Sequence, residues 1–253
     1  VEDVLDDMWP DLIMLQEVDV DSTRTYHIDE SALLARSQSV HALNYSCGFV
    51  PYPMPPIGSV HSGLFTTTDY KIDSAERISL PSPFKWPVST ANLKRCLLVS
   101  YLPIDGSDKQ LVLVNLHLEA YDDGEGKIAQ TNQLRDFITS EYEKGNYVIA
   151  GGDFNQVFPG SLDIYPIIDP ELWTPGVLDE NLLPDGWTLA YDLDTPSCRL
   201  LNQPYAKDDE NTQHYVIDGF ILSPNVELTD VQTLGLDFGS SDHNPVFINV
   251  KLK

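Results

Sequence analysis

Apolar positions cluster along the chain in segments of strand length, and one of these ends more abruptly than the others. Tyr147-Val148-Ile149-Ala150 is an apolar, partly β-branched run that stops at Gly151-Gly152 and is followed at once by Asp153-Phe154-Asn155. Such a run predicts a buried strand, and paired glycines break it where the backbone needs unusual dihedrals or room for a close neighbour. Asp153 and Asn155 are two apart, so in extended geometry they face the same way at the strand's end. A carboxylate and an amide placed so can hold and polarise an oxygen-bearing ligand. A Gly-Asp turn in which Asn155 bonds its own backbone accounts for the same residues.

The pattern recurs. Asp11-Leu12-Ile13-Met14-Leu15-Gln16-Glu17 is an apolar run ended by an acid, and Leu111-Val112-Leu113-Val114-Asn115-Leu116-His117 ends in an imidazole. Tyr215-Val216-Ile217-Asp218-Gly219 ends in Asp-Gly, and Ser240-Ser241-Asp242-His243-Asn244-Pro245 is a polar loop leading into Val246-Phe247-Ile248-Asn249-Val250. Polar groups gathered on loops at strand ends, over a rigid apolar scaffold, are the usual anatomy of a site. Turn chemistry alone does not account for five such ends, each delivering Asp, Glu, His or Asn.

Helical period is weaker but present. Residues 1–9 read as the end of an amphipathic helix, and Asp29 is the expected N-cap of a short helix running to about Arg36. Ile128, Thr131, Leu134, Phe137, Ile138 and Tyr142 predict one apolar face of a helix from about Lys127 to Glu143, closed by Gly145-Asn146. The acids between Glu119 and Glu125, including Asp122 and Asp123, read as a solvated loop. His61–Thr66 and Lys71–Glu76 are expected as strands about a turn at Thr68-Asp69. Pro51-Tyr52-Pro53-Met54-Pro55-Pro56 marks an irregular surface loop between two strand-like runs, so no domain boundary is placed there. The stretch 156–212 is rich in Pro, Asp and aromatics and is too long to be structureless in a compact domain. It is expected to carry short elements and to shape a substrate rim.

The ordered set Leu15-Gln16-Glu17, Asn115-Leu116-His117, Gly152-Asp153-Phe154-Asn155, Ile217-Asp218 and Ser241-Asp242-His243 resembles the endonuclease/exonuclease/phosphatase superfamily, with bacterial members nearest. The resemblance covers roughly Pro10 to Lys253. It implies an α/β, DNase I-like four-layer sandwich of two mostly antiparallel sheets with flanking helices. The whole of 1–253 is then one domain, apparently lacking the first strand that precedes the opening helix in that superfamily. It also implies Mg²⁺- or Mn²⁺-dependent hydrolysis of a phosphoester by in-line attack of water. Glu17 is the implied metal ligand and Asp242 serves either the metal or the water. Asp153 orients or deprotonates the water, Asn155 steadies a phosphate oxygen, and His117 and His243 donate to non-bridging oxygens. Asp218 holds the His243 ring. Some bacterial members carry an apolar N-terminal segment, so an extracytoplasmic, membrane-anchored protein whose anchor precedes Val1 is the corresponding expectation.

Charge narrows the partner. Among 253 residues there are 39 acids against 15 Lys and Arg, a net charge of −24. No broad basic surface for tracking a nucleic-acid backbone is evident, which favours small phosphoesters or lipid headgroups over DNA or RNA. A nuclease and a catalytically silent binding module of the same fold remain the alternatives, and a monomer is expected. Arg24, with Tyr26, and Arg95, in the one adjacent basic pair Lys94-Arg95, are the candidate phosphate contacts; a solvated loop and ordinary surface charge account for them equally well. Cys47, Cys96 and Cys198 show neither disulfide nor metal spacing and read as small core residues.

Overall fold

A computed structural model of the chain describes residues 2–86, 92–122, 124–206 and 211–253; Val1 and Asp123, named above, lie outside them. Its elements, in order, are α1 (Glu2–Met8), β1 (Leu12–Asp19), α2 (Glu30–Leu34), β2 (Gln38–Val50), β3 (Gly58–Thr68), β4 (Ser74–Ser79), β5 (Cys96–Pro103), β6 (Gln110–His117), α3 (Glu125–Glu143) and β7 (Tyr147–Asp153). There follow β8 (Gln156–Val157), α4 (Ser161–Ile164), β9 (Gly176–Val177), β10 (Thr188–Ala190), β11 (Cys198–Arg199), β12 (His214–Tyr215), β13 (Asp218–Leu222), β14 (Val226–Thr233) and β15 (Val246–Leu252).

The run 111–116 is apolar on both faces because β6 is covered on both. Val112, Val114 and Leu116 point into a core shared with Leu134 and Ile138 of α3, while Leu111 and Leu113 point into a second core on the opposite face. β7 divides in the same way, with Val148 and Ala150 toward α3 and Tyr147 and Ile149 away from it. Strands buried on both faces read as continuous apolar runs, and the parallel β6–β7 pair is joined by the α3 crossover that parallel strands require. The sheet has the order β10-β13-β7-β6-β5-β4, antiparallel everywhere except at β6–β7.

Against the face away from α3 pack two smaller ladders, β1-β3-β2 and β14-β15. Leu12 and Met14 of β1, and Leu228, Ile248 and Val250 of the other ladder, share the second core. Asn115, fully buried, ties β1 and β3 to β6. Its Nδ2 donates to the carbonyls of Leu15 and Phe65, each at 3.0 Å, and its Oδ1 accepts from Gln16 Nε2 at 2.8 Å. This is the expected DNase I-like sandwich.

Several local expectations change. β3 and β4 form no hairpin, since β3 pairs with β1 and β2 while β4 joins the edge of the larger sheet through β5. Ile128 is 61% exposed, because Lys127 and Gln130 take the inward places in the first turns of α3. Glu119 and Asp122 are not solvated. Asp122 Oδ2 accepts from the backbone N–H groups of Gly124, Gly126 and Lys127 at the start of α3, and Glu119 Oε1 accepts from those of Ala120 and Tyr121. Orphan N–H groups at a helix start reward burial of a carboxylate. Asp29 caps α2 as expected, accepting from Ala32 N at 3.1 Å, and 156–212 carries short elements of its own. Cys96 and Cys198 are buried and Cys47 half-buried, all three free thiols.

The Gly151-Gly152 break has a steric cause. A Cβ on Gly151 would lie 2.3 Å from the Phe220 ring; one on Gly152 would lie 2.1 Å from the Leu116 carbonyl oxygen, at a φ of 140°. Gly152→Ala is therefore expected to cost roughly 2–4 kcal/mol. Urea unfolding of the two proteins measures it, and a loss below about 0.5 kcal/mol contradicts the close-approach account.

Candidate active site

Register brings the motifs together. His117, the last residue of β6, is the partner of Asp153 at the end of β7, and Asp153 is the antiparallel partner of Asp218 at the start of β13. Asp218 thus opens a strand where a strand end was expected, and the reversal of direction is what sets it beside Asp153. His117 Nε2 lies 3.3 Å from Asp153 Oδ2. On the far side His243 Nδ1 lies 2.8 Å from Asp218 Oδ2, within the hydrogen-bonded pairing anticipated for these two residues. A bridge between Cys198 and His243 holds the 240–245 loop against β11.

The turn expected at Asp153 is present, but the side chain that closes it is that of Asp153, and Asn155 does not bond its own backbone. Asn155 has a left-handed φ of 49° and its N–H donates to Asp153 Oδ1 at 2.7 Å, an Asx turn. Its Nδ2 donates to Asp153 Oδ2 at 3.0 Å and to the Leu118 carbonyl at 2.9 Å. Both amide hydrogens are thereby engaged, so Asn155 steadies Asp153 and would have to release one of these bonds to reach a phosphate oxygen.

Ser197 carries no motif and was not foreseen. Its Oγ donates to Asp218 Oδ2 at 2.8 Å and accepts from the backbone N–H groups of Ile217 and Asp218. The one sequence signal was its place inside the long segment between two site motifs.

Charges in the row settle into distinct states. Burial and then the neighbouring Asp218 push Asp153 up to about 7, against the opposing pull of His243, the Asn155 N–H and Arg95. Burial works most strongly against a charged His243, yet Asp218 and Cys198 together outweigh it and hold the ring's pKa well above the ordinary value. His117 is driven well below its ordinary value by burial and by the cations Arg95 and His243. Burial and the neighbouring cations thus disfavour charge on His117, while Asp218 and Cys198 favour charge on His243.

Arg95 is 4% exposed. It lies behind the row, with Nη1 3.5 Å from the His117 carbonyl and Nε 4.0 Å from Glu119 Oε2, and acts on Asp153 through its charge. Arg24 is 40% exposed and engaged by the buried Asp19 through two bonds of 2.6 and 2.8 Å. Tyr26 is exposed.

Glu17 sits on a β-bulge of β1, between Leu15 opposite Phe65 and Val18 opposite Gly63, with a φ of 56°. The bulge turns its carboxylate outward and exposed. Asp242 is half-buried, its backbone carbonyl accepting from Arg199 N. Among the described residues no three His, Cys, Asp or Glu side chains converge as a metal cage. The Gln16 amide is taken by Asn115, and Asp153, Asp218 and Glu119 have protein partners. What remains as a carboxylate donor set for a divalent cation is the exposed Glu17, with Asp242 on a separate loop.

With this geometry in hand, likeness to solved structures identifies the fold. The fold is that of endonuclease/exonuclease/phosphatase proteins. An endonuclease/exonuclease/phosphatase from Beutenbergia cavernae DSM 12333 superposes with a TM-score of 0.67 at 16% identity, over 99% of this chain and 64% of that one. The human Nocturnin catalytic domain with bound sulfate gives 0.61 at 18% identity, over 100% and 84%. Danio rerio TDP2 complexed with a single-strand DNA product gives 0.56 at 18% identity, over 98% and 89%. This chain thus spans less than two thirds of the bacterial protein. No protein-family model and no curated protein sequence matches it.

The His243–Asp218 pair can be tested without any substrate. Asp218→Asn is expected to lower the His243 pKa, read by NMR titration of the ring. Because the folded-state pKa is raised, the pair's contribution to stability is fully present below the unfolded value of about 6.5 and fades as pH rises through the folded value. The stability gap between the two proteins should narrow accordingly at alkaline pH.

Proposed function

We propose that this chain is a phosphoester hydrolase acting by in-line attack of water on phosphorus. The reading rests on one observation above others, the row His117–Asp153–Asp218 set by strand register and extended by the hydrogen bond of Asp218 to His243. Asp153, with a pKa of about 7, is poised to take a proton from water near neutrality. His243, protonated and held by Asp218, which Ser197 steadies, donates from its other ring nitrogen to a non-bridging phosphate oxygen. That donor strengthens as the transition state gains charge, and it is oriented before substrate arrives. His117, neutral and 3.3 Å from Asp153 Oδ2, backs the base. Glu17, with Asp242 as second candidate, is assigned to hold a divalent cation, Mg²⁺ or Mn²⁺; when bound, such an ion neutralises phosphate charge.

The second reading is a nuclease. The likeness to TDP2, whose structure contains a single-strand DNA product, favours it; a net charge of −24 opposes it. A panel of phosphodiesters, phosphomonoesters, plasmid DNA and sphingomyelin, each with Mg²⁺ and with EDTA, separates the readings. Turnover of a small or lipid phosphoester that EDTA abolishes is the expected result. Cleavage of DNA alone establishes the nuclease, and no turnover on any member leaves a binding module.

On the active substrate, His243→Ala should lower kcat by about two orders of magnitude, as loss of one oriented donor does. Asp218→Asn should do much of the same damage, and the double variant should be less than additive because the two act as one unit. The profile of kcat/KM should rise with pH through about 7 as Asp153 ionises. Additive effects, or a flat profile between pH 5 and 9, would contradict these roles.

A further inference from the structure

The β2–β3 hairpin carries charge unlike the rest of the molecule. From Ser31 to Thr68 there is no Asp or Glu and Arg36 is the only Lys or Arg, in a chain that holds 39 acids. β2 and β3 pair from Gln38–Thr68 out to Val50–Gly58, whereas β1 ends at Asp19, opposite Ser62. The chain that follows β1 flanks β3 as far as Ser59, where Thr23 bonds it, and the hairpin tip projects beyond that, past the end that bears Glu17.

Its tip is apolar and bare. Residues 51–56 are exposed throughout, with Tyr52 at 78% and Met54 at 81%, and Phe49 beside them is 62% exposed. Scattered exposed apolar residues are ordinary; an aromatic, methionine and proline cluster with no Asp, Glu, Lys or Arg between Ser37 and Thr68, on a strongly acidic protein, is not.

Two occupants are available for such a tip, a second copy of the chain or a lipid surface. A stable interface needs on the order of 800 Å² from each partner, more than one irregular turn offers. A second copy would also bring another net charge of −24 toward the first. A zwitterionic bilayer brings no net charge, and an acid-free tip carries no carboxylate that would have to be desolvated at its surface. Phe and Met supply apolar bodies for the acyl boundary, and Tyr keeps its hydroxyl at headgroup level.

We propose that the hairpin tip, Phe49 to Met54, inserts into the interface of a lipid bilayer and sets the Glu17 end of the molecule against the membrane. No helix among the described residues is long and apolar enough to cross a bilayer, so the contact is interfacial. It stands apart from the hydrolase reading; if both hold, the site faces headgroup phosphoesters.

The test is co-sedimentation with vesicles of phosphatidylcholine alone and of phosphatidylcholine with phosphatidylglycerol. The protein should bind the first, and bind the second less tightly at low salt because of its charge. The triple variant Phe49→Ser, Tyr52→Ser, Met54→Ser should lower the bound fraction about tenfold or more, the burial of three large side chains being lost. Its circular dichroism and Tm should match the parent, since all three side chains are exposed. Leu201→Ser, at a residue 65% exposed elsewhere on the surface, should leave binding unchanged. Absence of binding to either vesicle overturns the proposal, as does equal binding by the triple variant. A dimer in light scattering that the triple variant converts to monomer overturns it in favour of a second copy.

Discussion

Two carboxylates face each other across adjacent strands, and the rest of the site follows from that. Antiparallel pairing of β7 with β13 sets Asp153 opposite Asp218, with their side chains only 8% and 13% exposed. Like charges so placed cannot both ionise freely, and one must carry a raised pKa. Asp153 carries one, raised by burial and by Asp218, whose own carboxylate is hydrogen-bonded by His243 and the Ser197 hydroxyl. Arg95 and the Asn155 N–H bring Asp153 part of the way back. Its final position near neutrality is a balance between burial and these donors, and so depends on the whole neighbourhood.

The backbone around the row is arranged to let the strands close upon it. Gly151 and Gly152 admit Phe220 and the Leu116 carbonyl at distances that any side chain would forbid. On the other ladder, the bulge at Glu17 interrupts the β1–β3 register so that one acid leaves the packed face. Asn115 links these two regions, one side chain satisfying carbonyls of β1 and β3 from within β6. Replacing it by an apolar residue would strand two buried acceptors, so the sheet-to-sheet geometry and the placing of Glu17 share one polar anchor.

Charge is also divided in space. The basic residues nearest the row are drawn inward, Arg95 toward Glu119 and Lys127 toward Asp122. The β2–β3 hairpin, which overhangs the same end, is left without acids. An acidic body, an internally neutralised site and an uncharged projection are three separate electrostatic environments in one chain, a division the single figure of −24 conceals.

Much of this was legible in the residues themselves. The doubly apolar runs at 111–116 and 147–150 name two central strands, Asp29 names a helix cap, and the spacing of Thr131, Leu134 and Ile138 names the buried face of α3. Four of the five acidic or histidine-bearing motifs hold the row's members, and the fifth holds Glu17. These are local properties, governed by side-chain period, steric demand and turn chemistry within a few residues. Other features had no local signal. That Asp218 begins a strand, that Ser197 supports it, that Arg95 is buried and that Glu119 and Asp122 serve backbone N–H groups all depend on which strand lies beside which. Pairing between segments far apart in sequence is decided by the total burial and hydrogen bonding of the closed sheets, a sum over contacts that no single stretch contains. The chemistry of Asp153 and His243 belongs to the tertiary structure for the same reason, since their charge states are set by neighbours brought from other strands and loops.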